Sequence, residues 1–235
     1  MELRRRLRNG FQARMLYTYA KSLDDDFSLS GQGSVISGAI AQDWLNPSGQ
    51  RGLSSTDQRH VLTVSAQYTT GMGLGGKTLM SGWKGAIYKE WTVQTSINAG
   101  SGLPGTPIYG GATVGGTGVT GTIRPNLAGS PYSNLKPGYY LNPAAYVAPA
   151  AGQWGNARRN SIAGPNEFGM SASMNRTFRL HDRYTLDAQL NAANVLNHVV
   201  ISGYNTTWIP NSHTFGAPLG AKDMRSVSVQ LRMRF

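Results

Sequence analysis

The C-terminal end of the chain alternates strictly between apolar and polar residues. From Ser226 onward, every second position is apolar and the positions between are Ser, Gln or Arg. A β-strand places successive side chains on opposite faces, whereas a helix would scatter both sets around its axis. The pattern therefore predicts a terminal amphipathic strand. Its apolar face carries Val227, Val229, Leu231, Met233 and Phe235.

The same period of two recurs upstream and predicts six further strands. They cover residues 2–7, 11–20, 62–68, 90–99, 168–178 and 184–193. In the first of these, the alternation rests only on Leu3 and Leu7. Two positions break the pattern, because Leu16 lies in a polar series and Arg176 lies in an apolar one. We expect the long stem of Arg176 to reach an interface near a turn.

The connections between these strands alternate in length. Residues 8–10 and 181–183 predict tight turns, whereas long connections lie near residues 23–57, 103–165 and 199–223. Short periplasmic turns and long outer loops are typical of outer-membrane barrels. The layout predicts an all-β, antiparallel up-and-down transmembrane β-barrel with its C-terminus on the periplasmic side. The connection over residues 69–88 does not fit, because it should be short and is long.

A soluble β-rich binding or adhesion module is the alternative, because alternation alone does not say which face meets water. The polar faces are rich in Ser, Thr, Asn and Gln, whereas a soluble surface usually carries more charge. Seven strands cannot close alone, since bacterial barrels have even strand numbers and lipid does not tolerate unpaired edges. We therefore expect about seven strands of a larger barrel, with long outer loops.

The formal net charge of +11 raises nucleic acid as a partner. The basic residues cluster only near the start of the chain and are otherwise dispersed, without a recognition-helix or stacking pattern. A basic nucleic-acid-binding protein is therefore a weaker alternative, and no nucleic-acid partner is expected. The cluster consists of Arg4, Arg5, Arg6 and Arg8.

Candidate chemical motifs are few, and the chain has no cysteine. Gly71, Gly73 and Gly76 have the dinucleotide-binding spacing, but the sequence that follows predicts a turn and not a phosphate-binding helix. The triplet at residues 24–26 could contribute to a calcium site, although a solvated loop start is favoured. The histidines lack metal-ligand spacing. They are His60, His181, His198 and His213. We expect no catalytic residues, no cofactor and no metal site, and hence no enzyme.

Several short motifs in combination give the chain a family resemblance. They are residues 17–25 (YTYAKSLDD), 57–60 (DQRH), 101–104 (SGLP), 124–127 (RPNL), 141–146 (LNPAAY), 155–161 (GNARRNS), 194–198 (NVLNH) and 231–235 (LRMRF). With these motifs the chain resembles the barrel part of TonB-dependent receptors. The resemblance is to the Oar-like group, which has a carboxypeptidase-regulatory-like N-terminal domain.

The resemblance implies a barrel of about twenty-two strands around an internal plug. It also implies import of a bulky nutrient, driven by a TonB-type energy-coupling protein, and assembly by the barrel-assembly machinery. Residues 1–10 do not read as a secretory signal, and no plug or coupling segment is recognisable. We therefore expect residues 1–235 to be a C-terminal fragment of such a receptor, inactive alone, in the lipid of the bacterial outer membrane. The substrate is not indicated.

The terminal strand, ending in Phe235, resembles the signal by which outer-membrane barrels are recognised for assembly. A second interpretation is that Phe235 only anchors the strand at the membrane interface, where aromatic residues form girdles. The two roles are compatible.

Overall fold

Seven long strands form one antiparallel sheet, and their order in the sheet follows their order in the chain. The computed structural model describes residues 1–25, 41–43, 45–73, 79–111, 123–181 and 184–235. The sheet confirms all seven predicted strands and the all-β antiparallel fold class. Among the described residues, β1 and β7 each have a hydrogen-bonded neighbour on one side only, so the sheet is not closed. The strands are β1 (Glu2–Arg8), β2 (Phe11–Tyr19), β3 (His60–Thr69), β4 (Thr92–Gly100), β5 (Glu167–His181), β6 (Tyr184–Ala193) and β7 (Ser226–Arg234).

The register aligns positions of the same character across the sheet. On one face, Val229 lies opposite Leu190, which lies opposite Met174 on its other side. On the other face, Gln67 lies opposite Gln94. Because side chains alternate along each strand, this register creates one continuous apolar face and one continuous polar face. The terms apolar face and polar face refer to these two surfaces below.

Thr95 is a polar residue on the apolar face, in the row that contains Ala66 and Ala172. Its hydroxyl donates a hydrogen bond of 3.1 Å to the carbonyl oxygen of Ser171 on the neighbouring strand. The hydroxyl is therefore satisfied inside the sheet, which removes most of the cost of placing it in an apolar environment. Nothing in the structure explains the presence of Leu16 on the polar face.

The three long connections meet at one end of the sheet and fold together there. We call their described residues, within 20–59, 101–166 and 194–225, the loop layer. Four of the short ladders in this layer each lie within a single connection, and a parallel ladder joins the second connection to the third. These ladders pair Leu23–Asp24 with Gly52–Leu53, Pro104–Gly105 with Ile162–Ala163, Ile108–Tyr109 with Thr207–Trp208, Asn126–Leu127 with Tyr146–Val147, and Ile201–Tyr204 with Pro218–Ala221.

The loop layer contains the hydrophobic core of the described chain. Phe215 packs edge-on against Tyr146 with ring centroids 5.2 Å apart, and Trp208 donates a 2.9 Å hydrogen bond to the carbonyl oxygen of Pro143. No fully buried apolar residue of the described ranges lies in β1 to β7. The core cluster consists of Leu141, Ala145, Tyr146, Ala157, Ile162, Trp208 and Phe215.

Asparagine side chains and close glycine contacts hold the motifs of the loop layer together. Asn126 accepts a hydrogen bond from the backbone of Asn156, and Asn156 accepts one from the backbone of Leu127. A Cβ atom at Gly155 would lie 1.8 Å from the carbonyl oxygen of Arg124, so only glycine fits there. The RPNL and GNARRNS motifs are therefore explained by packing between two segments of one long connection.

The connection between β3 and β4 carries one α-helix, α1 (Gly82–Tyr88). This explains why the connection is longer than the other turns at its end of the sheet. Two short 3-10 helices, Pro47–Gln50 and Pro143–Ala145, lie in the loop layer. No helix in the described part of the chain is long and apolar enough to cross a membrane.

Candidate functional site

The predicted terminal strand is the edge strand β7, and its five apolar residues lie on the apolar face. Val227, Val229, Leu231 and Met233 lie opposite alanine and leucine residues of β6. These side chains are more than half exposed, and Phe235, which follows the strand, is 95% exposed. The structure thus brings the five residues onto one surface. Their role in barrel assembly stays a prediction.

Aromatic residues border the apolar face at both ends. Phe168 and Phe178 lie ten positions apart on β5, which corresponds to about 33 Å along a strand. With a strand tilt of about 40°, the height between them is about 25 Å, the height of the lipid-facing band of outer-membrane barrels. At the short-turn end the aromatic residues are Phe11, Tyr68, Trp91, Phe178, Tyr184 and Phe235. At the loop-layer end they are Tyr17, Tyr19 and Phe168.

At the loop-layer end, the aromatic rings of the apolar face carry or contact polar groups. The hydroxyl of Tyr17 shares a 2.8 Å hydrogen bond with Nδ1 of His60, and the ring of Tyr19 lies 5.2 Å from the His60 ring. Tyrosine side chains with an apolar body and a wet end suit a boundary between hydrocarbon and headgroups. His60 is therefore part of an aromatic boundary. The structure also places His198 against Phe168, with ring centroids 5.8 Å apart.

The polar face lines a groove of about 730 Å³. Its central rows carry amides and hydroxyls, and Gln12 donates a 3.1 Å hydrogen bond to Gln67. Basic residues lie at the β1–β2 edge, where Glu2 pairs with Arg14 at 2.9 Å. Such a surface is suited to water or to a neutral polar partner. The central polar residues include Ser65, Gln67, Gln94, Ser96, Ser171, Ser173 and Asn191.

Ion pairs lie on the polar face near the short-turn end. Asp187 accepts a 2.7 Å contact from Arg234 on β7 and a 2.7 Å hydrogen bond from Thr177 on β5. Arg179 lies 3.5 Å from the carboxylate of Glu90. These charges tie β5, β6 and β7 together on the side of the sheet away from the apolar face. The contribution of each exposed pair to stability is small.

Two buried guanidinium groups lie in the loop layer. Arg159 contacts the Asp24 carboxylate and donates 2.8 Å hydrogen bonds to the carbonyl oxygens of Asp24 and Gln50. The guanidinium of Arg124 donates a long 3.4 Å bond to the carbonyl oxygen of Gly49, and its Nε and Nη1 have no partner among the described residues. Burial and the nearby Arg159 charge lower the pKa of Arg124.

The remaining candidate motifs are placed as follows. Gly71 and Gly73 have positive φ angles in the β3–β4 connection, and Gly76 lies outside the described residues. Gly71 and Gly73 therefore lie well before α1, which begins at Gly82, and not at the N-terminus of a helix. Asp24 is engaged by Arg159, and Asp26 lies outside the described residues. No group of three potential metal ligands occurs within the described ranges.

The family model of an outer membrane beta barrel domain matches residues 1–228. The match covers most of the chain, and the chain belongs to this family. No curated protein and no solved structure matches the chain. Family membership and the two aromatic rows together locate the chain in the bacterial outer membrane. The predictions of an outer-membrane barrel and of this location are confirmed.

Orientation in the membrane follows from the layout of the connections. In barrels of this type the apolar face meets lipid and the short turns lie on the periplasmic side. We therefore expect the loop layer to lie on the outer side. Sequence reasoning missed the folded core of this layer and the two aromatic rows. The rows had a readable signal, because aromatic residues recur at the ends of predicted strands.

Proposed function

We propose that the chain forms part of the wall and the outer surface of a TonB-dependent receptor of the Oar-like group. The receptor imports a bulky nutrient, and a TonB-type protein of the inner membrane supplies the energy. The chain has no catalytic role. Its partners are outer-membrane lipid, the energy-coupling protein and the barrel-assembly machinery, with no nucleic acid among them. The motifs quoted above carry the resemblance to this group.

The observation that carries the proposal is the folded loop layer. A parallel ladder joins the second outer connection to the third, and the Gln42 side chain joins the first to the second by accepting a hydrogen bond from the backbone of Arg124. The second and third connections enclose a core of large side chains such as Leu141, Trp208 and Phe215. A surface held in one shape binds a ligand with a lower ordering cost than free loops do. This favours capture of a specific ligand over passive diffusion through an open channel.

The sheet contributes the second argument. Within the described residues, the outer edges of β1 and β7 have unpaired backbone groups, which lipid does not tolerate. Further strands must therefore complete the barrel around the polar groove. A wall of seven strands that bounds only one side of a groove is consistent with a barrel wide enough for a bulky nutrient.

The test is uptake in the bacterium that carries the gene. Fluorescent oligosaccharides and peptides too large for general porins form the panel. Deletion of the gene should abolish uptake of at least one compound, and depletion of the energy-coupling protein should abolish uptake of the same compound. Unchanged uptake of the whole panel after deletion, or uptake that continues after depletion, contradicts the proposal.

Orientation can be checked in the same strain, because the chain has no cysteine. Lys136→Cys, in the loop layer, should react with an impermeant maleimide on intact cells. Lys84→Cys, on α1, should react only after the outer membrane is permeabilised. The reverse pattern would place the loop layer in the periplasm.

A further inference from the structure

The β3–β4 hairpin closes before the segment that contains α1. Thr70 donates its backbone N–H to Trp91 at 2.9 Å and accepts the backbone N–H of Glu90 at 3.0 Å. The backbone pairing of the two strands therefore extends to Thr70 and Glu90. A tight turn could join the strands at this point in place of residues 71–89. A long segment at the end where the other connections are tight turns requires a separate explanation.

Arg176 holds α1 on the lipid-facing side of the sheet. This residue lies on the apolar face, and its guanidinium donates to the carbonyl oxygens of Ala86 and Ile87 in the last turn of the helix. Carbonyl groups at a helix C-terminus lack partners within the helix and favour a cation. Trp91 adds a 3.0 Å hydrogen bond from its indole nitrogen to Ile87.

The same arginine connects α1 to the aromatic row at the short-turn end. Its guanidinium carbon lies 4.6 Å from the ring centre of Phe178 and 5.5 Å from that of Trp91. These two rings meet edge-on at 6.1 Å. The helix is thus continuous with the row that marks the periplasmic boundary of the lipid-facing surface.

The helix segment exposes large apolar side chains beside basic ones. Trp83 and Ile87, one helical turn apart, are 68% and 52% exposed, and Leu79 before the helix is 68% exposed. Lys84 lies beside Trp83, with its ammonium nitrogen 5.7 Å from the indole ring centre, and Lys89 follows the helix. Aromatic and aliphatic residues next to lysine are typical of segments that lie in a membrane interface.

We propose that residues 79–89 are an interfacial anchor that binds acidic phospholipid in the periplasmic leaflet of the outer membrane. The apolar side chains enter the acyl boundary, where they extend the lipid-facing surface of the sheet. Lys84 and Lys89 meet anionic headgroups, since the segment has no acidic residue and Glu90, which follows it, is paired with Arg179. This inference rests on the membrane location and is independent of the transport proposal.

Quenching of Trp83 by brominated lipid tests the anchor. The barrel that contains the chain is purified from the outer membrane and reconstituted in phosphatidylcholine vesicles that contain either brominated phosphatidylglycerol or brominated phosphatidylcholine at the same mole fraction. The Trp83 signal is obtained by subtracting the spectrum of Trp83→Phe. We expect both lipids to quench it, and quenching by brominated phosphatidylglycerol to be at least twofold stronger.

Two variants complete the design. Lys84→Gln with Lys89→Gln should remove the twofold preference while Trp83 stays quenched by both lipids. Trp154, in the loop layer, is the control, and its signal, obtained with Trp154→Phe, should not respond to brominated lipid. Trp83 that is quenched by aqueous iodide and by neither lipid overturns the anchor. Equal quenching by the two lipids in the unmodified chain overturns the assignment of acidic headgroups.

Discussion

Placing arginine on opposite faces of one strand tests the assignment of the lipid-facing surface. Leu190 lies on the apolar face between Met174 and Val229, and its neighbour Gln189 points to the polar face. Met174 is six positions from Phe168 and four from Phe178, so Leu190 lies close to the middle of the band between the two aromatic rows.

Leu190→Arg should lower the free energy of unfolding by about 2–4 kcal/mol, which is the cost of placing arginine near the bilayer midplane. This corresponds to a factor of about 30 to 1,000 in the folding equilibrium. Gln189→Arg should change the free energy of unfolding by less than about 0.5 kcal/mol, because its side chain stays in water. Leu190→Ala separates the loss of the leucine from the addition of the charge.

The assay is urea-induced unfolding of the barrel that contains the chain, reconstituted in vesicles and followed by heat-modifiable migration on gels. Leu190→Arg should lower the urea midpoint much more than Leu190→Ala and Gln189→Arg do. Equal effects of the two arginine substitutions would mean that both faces meet the same medium. In that case the assignment of the apolar face to lipid would be wrong.

Three further predictions concern the terminal residue and the loop layer. Deletion of Phe235 should reduce the amount of assembled, protease-resistant barrel well beyond the effect of one lost interfacial side chain, and wild-type amounts would rule out a recognition role. Arg159→Met should destabilise the loop layer by about 3 kcal/mol because it removes the ion pair with Asp24 and the hydrogen bonds to the carbonyl oxygens of Asp24 and Gln50. Arg124→Met should cost less than about 1 kcal/mol because it removes buried donors that have no partner among the described residues. Limited trypsin digestion of the outer surface compares the two variants, and equal sensitivity would contradict this prediction. Burial raises the pKa of Tyr146 from 10.0 to about 12, so the folded loop layer favours the neutral phenol. The stability of the layer should therefore fall by about 2–3 kcal/mol as the pH rises from 10 to 12. Tyr146→Phe should lose this pH dependence, and an unchanged pH profile in that variant would contradict the prediction.

The seven strands were predictable because each repeats a simple period. In β7 the alternation is unbroken from Ser226, and in β6 it extends from Tyr184 to Ala193. A strand that faces lipid on one side and water on the other must show this alternation, since each position meets only one medium. The alternation in the sequence therefore follows from the lipid on one face of the sheet and the water on the other.

The loop layer could not be predicted in the same way, because its contacts join residues that are distant in the sequence. The backbone of Arg124 donates to Gln42 at 2.7 Å, and Arg159 pairs with Asp24 across 135 positions. These contacts have no period, and each depends on where the sheet brings the connections together. The motifs of the layer were visible as residues, but their packing partners were not.

Two exceptions to the sequence pattern meet at the segment that contains α1. The connection over residues 69–88 contradicted the rule of short turns, and Arg176 contradicted the apolar series of β5. In the structure the two exceptions explain each other, because Arg176 binds the carbonyl groups at the end of the helix. Neither exception could be interpreted alone.

The chain combines two kinds of stabilisation that are separated in space. The backbone groups of the sheet are paired between β1 and β7, and within the described residues the sheet has no buried core of its own, so we expect its apolar face to depend on lipid. The loop layer has a dry core and buried polar groups, such as Asn160, which bonds Thr106 and the carbonyl oxygen of Leu53. Substitutions in the layer should therefore change the shape of the outer surface while the sheet stays inserted. Under the proposed function, this separation would allow the outer surface to vary in ligand specificity while the membrane-spanning sheet stays the same.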